Sequence, residues 1–135
     1  MQPTSEEKVV AGLVHLALLL NLAGLVATLV VYTLYRPKSA FVTRHAKQSL
    51  GLQVISLVLG WALPIAFGIS AIGLFSLGAP FGFAPRATVG LLGVLLLGSL
   101  EIAVLVLAVI AAVRAFQGEE YRHPVFGQWM DSLGK

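Results

Sequence analysis

Glu101 is the residue with the plainest chemical potential, an acid set in the middle of the apolar run EIAVLVLAVIAAV and its equally apolar upstream sequence. An ionised carboxylate at the centre of a membrane helix costs about 2.5–3.5 kcal/mol on insertion scales, so it has to be protonated, paired or wet. Counting inward along oppositely directed helices at 1.5 Å per residue puts Asn21, Trp61 and Glu101 at a similar depth, about 18 Å from the outer ends. The Asn21 amide and the Trp61 indole N–H could both donate to that carboxyl, which predicts an intramembrane polar cluster. Its two readings are structural glue between helices and a proton or ion pathway.

Two histidines, His15 and His45, offer imidazole ligands and raise the alternative of a haem-bearing membrane subunit. Depth counting opposes one shared haem, because His15 falls two turns from one end of its helix and His45 at the opposite interface, roughly 25 Å away across a core about 30 Å thick. A haem shared with another subunit survives that objection; otherwise no cofactor is expected. On the inner side, His45, His123, Glu119 and Glu120 accompany Arg44 and Lys47. They read as salt bridges and hydrogen bonds that seat the tail against the second helix, since no metal-ligand spacing is present. There is no HExxH, no phosphate-cradling glycine loop and no nucleophile with a base at informative spacing, so no enzyme is predicted.

The elements that must position these residues are apolar helices. Of 135 residues, 58% are hydrophobic and 11% charged, with mean hydropathy +0.91, too much apolar surface for one small soluble core. The absence of cysteine removes disulfides and thiolate chemistry. The net charge of +3 and pI near 9.6 come from residues flanking apolar spans, which points to lipid headgroups and not to nucleic acid. The expected fold is an all-α membrane protein with three transmembrane helices at about residues 6–35, 40–75 and 89–116, and an interfacial tail at 118–135.

Thr4 and Glu7 fit a capping box opening the first helix, and Pro37 ends it. Ser39 caps the second, whose basic, amphipathic start lies in the headgroup layer before the chain crosses, with a kink expected at Pro64. The segment 76–88 reads as a surface loop, and Gly118 as the left-handed terminator of the third helix. Small residues recur at Ala23/Ala27, Ala62/Ala66/Ser70 and Ala108/Ala112, with Gly90, Gly93 and Gly98, as close helix packing in lipid requires. Three crossings with this charge distribution predict a multi-pass protein of the inner membrane, N-terminus out and C-terminus in.

Three patterns, in order, resemble the small bacterial membrane proteins related to the Tic-twenty component of chloroplast protein import. They are GLVHLALLL at 12–20, FVTRHAKQSLGLQ at 41–53 and AFQGEEYRHP at 115–124. On this resemblance Phe41, Arg44, His45, Lys47, Gln48 and Gln53 form an inner-face motif, and Gly118, Glu119, Tyr121 and Pro124 a tail motif. The chain departs at Ser49 and Gly51, where related sequences carry Ala and Asn. The resemblance implies a place in a membrane complex or translocation pathway. The function expected is therefore a non-enzymatic accessory or scaffold subunit, or a Tic-twenty-like homo-oligomer, whose partners are the bilayer and other membrane subunits or itself. A small channel or proton-coupled carrier using Glu101 is the alternative.

Overall fold

The computed structural model describes residues 2–65, 68 and 83–120, and all regular structure among them is helical. Helix α1 is Ser5–Leu16 and runs into a 3₁₀ turn, Ala17–Leu20; α2 is Leu22–Tyr35; α3 is Ala40–Leu57, continuing through a π turn, Val58–Ala62; α4 is Phe83–Gln117. Two stretches, Ala40–Ile65 and Gly90–Gln117, are long and apolar enough to cross a bilayer, and Leu22–Tyr35 is a shorter apolar helix.

The single helix expected over 6–35 does not form. At Asn21 the backbone takes φ 57°, ψ −127°, and the chain reverses, so that α2 returns alongside α1. Hydrogen bonds tie the two arms at both levels: the Thr28 hydroxyl reaches the Val14 carbonyl at 3.5 Å, and the Tyr35 hydroxyl donates to the Glu6 carboxylate at 2.9 Å. Gly24 permits the approach, because a Cβ there would collide with the carbonyl oxygen of Ala17. Hydropathy cannot register this reversal, since every residue flanking Asn21 is as apolar as a span would require. At 1.5 Å per residue α1 is about 18 Å long, short of the ~30 Å hydrocarbon thickness. The expectation of three full spans is thus corrected to a helical hairpin followed by two long apolar helices.

The remaining boundaries follow from local chemistry. The capping box at Thr4 is present in both directions, Glu7 N–H to the Thr4 hydroxyl at 3.2 Å and Thr4 N–H to the Glu7 carboxylate at 2.7 Å. Ser39 caps α3 through the N–H of Val42 at 3.3 Å. Pro64 lacks an N–H and crowds the carbonyl of Gly60; the helix widens by one residue just before it, with Leu63 N–H bonded to the Val58 carbonyl. Helix α4 begins five residues before Thr88, inside the segment expected to be a loop. Pro85 suits a first helical turn, where its missing N–H would be unpaired in any case. Gly118, at φ 81°, closes α4, with Gly118 N–H on the Ala115 carbonyl at 2.9 Å and Glu119 N–H on that of Arg114 at 3.0 Å.

Packing is sparse and close. Ala108, Ala111, Ala112 and Ala115 of α4 are buried, together with Ala11 and Gly12 of α1, where the Phe116 ring lies over Gly12. Leu18, Leu52, Val104 and Ala108 form the apolar core, supported by Ile55, Leu59 and Leu105. Side chains elsewhere are turned outward: Leu91, Leu92, Val94, Leu95 and Leu96 are all about 60% exposed or more. Because Lys8 sits against Gly118 and Glu6 against Tyr35, the start of α1, the 36–39 connection and the end of α4 share one end of the bundle. The expectation of termini on opposite sides, N out and C in, depended on an unbroken first helix and is corrected with it for the ends the structure describes.

Candidate functional site

Helix α3 organises the site. His45, Ser49 and Gln53 follow one another at four-residue steps, and side chains so spaced stack on a single helix face. All three are buried to 2% exposure or less, as is Thr28 of α2, and Gln48 beside them is 4% exposed. The face they form meets the hairpin. The Val14 carbonyl accepts from Ser49 Oγ at 2.5 Å and from Gln53 Nε2 at 3.2 Å, besides Thr28. The two Nε2 hydrogens of Gln53 are shared between that carbonyl, Thr28 Oγ1 and Ser49 Oγ, the last two each at 2.9 Å. One amide therefore cross-links α3 to both arms of the hairpin.

One turn nearer the basic end, His15 Nε2 and His45 Nδ1 share a hydrogen bond of 3.1 Å, their rings edge to face with centroids 5.4 Å apart. Phe41 packs on the His45 ring at 4.6 Å. The expected separation of roughly 25 Å is overturned. The folded-back hairpin lays α1 beside the start of α3, where an unbroken span would have carried His15 to the other side. The contact does not suit a haem between the two imidazoles, since the nitrogens that would face iron bond directly to each other. Among the described residues no group of three His, Cys, Asp or Glu could share a metal ion. Both amide atoms of Gln48 and Oε1 of Gln53 are buried without a hydrogen-bond partner among the described residues.

The midplane cluster is not assembled as expected. Glu101 takes its hydrogen bond from Ser56 Oγ of α3, and its other carboxylate oxygen is buried without a partner. Asn21 is exposed at the tip of the hairpin, and Trp61, 58% exposed in the π turn, faces outward. No hydrogen bond joins the three. The equal-depth count failed because it too assumed a straight first helix.

The inner-face motif divides by helix face. His45, Gln48 and Gln53 are buried, Phe41 and Lys47 are half-buried, and Arg44 is exposed. Arg44 pairs with Glu120 at 2.5 Å and Arg114 with Glu119 at 2.7 Å, so the start of the tail is held against α3 and α4 by exposed bridges worth little individually. Of the tail motif, Gly118 and Glu119 are placed as above; Tyr121 and Pro124, like His123, lie outside the described residues. Ser49, noted in the sequence only as a departure, proves central, and its four-residue spacing from His45 and Gln53 was the available signal. Thr28 and Ser56 had no such signal. The small residues Ala108 and Ala112 pack within the chain, while nothing lies within 4 Å of a Cβ built on Gly90, Gly93 or Gly98.

The model of the magnetosome magnetite crystal formation protein family, MamF/MmsF, covers residues 6–130, and the chain belongs to that family. No curated protein and no solved structure matches it. The likeness to Tic-twenty proteins is thereby corrected. An aromatic residue, cations and inward amides at the start of a membrane helix answer interfacial physics common to many small membrane proteins, so the motif does not single out one family.

Proposed function

For a chain of this family we propose a non-enzymatic role in the magnetosome membrane, exerted through helix packing as a scaffold or accessory subunit of the assembly that forms magnetite crystals. The observation that carries it is the inverted distribution of polarity. Polar side chains, His15, Thr28, His45, Gln48, Ser49 and Gln53, are buried beside an interior of mostly small apolar residues, while large apolar ones cover the outside. Such a body is stable only where lipid or partner helices cover that surface, and its interior is occupied by helix-to-helix hydrogen bonds that define a shape. The open Gly90, Gly93 and Gly98 positions of α4 support self-association or a partner helix.

In this reading the hairpin enters the bilayer partway and returns, and α3 and α4 cross it. Lys8, Arg36, Lys38, Arg44, Lys47 and Arg114 then gather at one end, with Arg86 at the start of α4, and the positive-inside rule turns the gathered end to the cytoplasm. The test is the mass of the particle solubilised from native membranes. A complex well above the 14.3 kDa monomer, or a constant copurifying membrane partner, is expected. A strictly monomeric particle with no partner overturns the scaffold reading.

A second reading rests on the unpartnered Glu101 oxygen beside Ser56: a carrier in which this carboxyl binds the transported proton or cation. Liposomes containing the protein would then show a flux that Glu101→Gln changes. Flux indifferent to that substitution removes it.

A further inference from the structure

At the basic end, the 36–39 connection and the first two turns of α3 border an open surface depression of about 470 Å³. Four cations line it, Arg36, Lys38, Arg44 and Lys47, with the hydroxyls of Ser39 and Thr43 between them. Arg44 is bridged to Glu120, and the Glu7 carboxylate bonds to Thr4 and interacts with Ser39 at the depression's edge. Among the described residues no acid pairs with Arg36, Lys38 or Lys47. Positive charge is therefore in excess across this open depression. On α2, Val26, Val30 and Leu34, each at least half exposed, form a four-residue-spaced apolar stripe that ends two residues before Arg36.

We infer that this depression binds a phosphate anion carried on the headgroup of an anionic phospholipid, whose acyl chains lie along the α2 stripe. Guanidinium and ammonium groups match phosphate oxygens; the Thr43 hydroxyl donates to the Ser39 carbonyl at 2.6 Å and that of Ser39 serves Glu7, so the cations carry the recognition. Free phosphate shares the headgroup's chemistry but has no use for the stripe, which assigns the lipid as the source. The site fixes the hairpin's open end to the headgroup layer at the joint where α2 becomes α3.

The test uses the full chain in neutral detergent, titrated separately with phosphatidylglycerol, phosphatidylcholine and inorganic phosphate, with bound molecules counted by native mass spectrometry. Phosphatidylglycerol should be retained at concentrations that leave phosphatidylcholine unbound, and retention should weaken with added salt. Lys38→Gln and Lys47→Gln should each lower its affinity about fivefold, the equivalent of ~1 kcal/mol per basic residue at a charged surface. Arg114→Gln, which removes the same charge at the Glu119 bridge, should leave it unchanged. Equal retention of the two lipids, or an Arg114→Gln loss as large as that of Lys47→Gln, overturns the proposal. Inorganic phosphate binding as tightly as phosphatidylglycerol overturns the lipid assignment and makes the depression a soluble-anion site.

Discussion

Replacing Gln53 by Leu removes one amide and tests whether the buried polar network holds the hairpin to α3. Side-chain volume and helix propensity change little, so the loss is confined to the two N–H groups of Nε2, shared among Val14 O, Thr28 Oγ1 and Ser49 Oγ. Hydrogen bonds between membrane helices contribute about 0.6 kcal/mol each on average, and two of these contacts cross between helices, which sets the total at about 1.2 kcal/mol, about an eightfold fall in the folded ratio. The Val14 carbonyl keeps Ser49 and Thr28 as donors, so no large penalty for an orphaned acceptor is added. The assay is unfolding by sodium dodecyl sulfate in mixed micelles, followed by far-ultraviolet circular dichroism. Val54→Ala, at a neighbouring position 51% exposed, serves as the control and should cost under about 0.5 kcal/mol more than its lost methyls in lipid. A Thr28→Val, Gln53→Leu double-mutant cycle should show coupling of roughly 0.6 kcal/mol or more. If Gln53→Leu falls within about 0.5 kcal/mol of the parent and the cycle shows no coupling, the network does not hold these helices and the scaffold argument loses its core.

Asn21→Gly should stabilise the hairpin by about 1 kcal/mol in the same titration, because φ 57°, ψ −127° is a conformation that a side chain disfavours and glycine does not. Gly24→Ala should cost ~3 kcal/mol or open the hairpin, since its methyl meets the Ala17 backbone, whereas Gly12→Ala should cost about 1 kcal/mol because the half-exposed Phe116 ring can swing away. Cross-linking between positions 6 and 35 reports the opening directly. The Glu7 carboxyl is held below its ordinary 4.5, chiefly by the Ser39 hydroxyl and then by the Thr4 N–H. A depressed carboxylate contributes its full stabilisation above the unfolded value and loses it as pH falls through the lower folded one. The α1 cap should accordingly be unchanged from pH 7 to 5 and weaken below 4.5, and Glu7→Gln should abolish that dependence when amide exchange in the first turn is followed.

The sequence alone determined the material of this protein. Its composition required helices in lipid, Thr4 with Glu7 and Ser39 marked two helix starts, Gly118 marked an end, and Pro64 marked a disturbance that became a π turn. These are local matters, decided by a few neighbouring side chains and backbone groups, and so can be read in chain order. The four-residue spacing of His45, Ser49 and Gln53 was equally legible as a polar face, though not what that face would meet. Tertiary structure alone decided the reversal at Asn21, because a hairpin tip and an unbroken span have the same hydropathy. The choice turns on Gly24 admitting the Ala17 carbonyl and on Val14 gaining donors from α2 and α3. From that reversal came the His15–His45 contact, the separation of Asn21 from Glu101, the pairing of Glu101 with Ser56, and the gathering of nearly every described cation at one end. Depth along a helix is computable from sequence only while the helix continues; here it stopped after 16 residues of helical chain, and each long-range relation was set by where the chain went next.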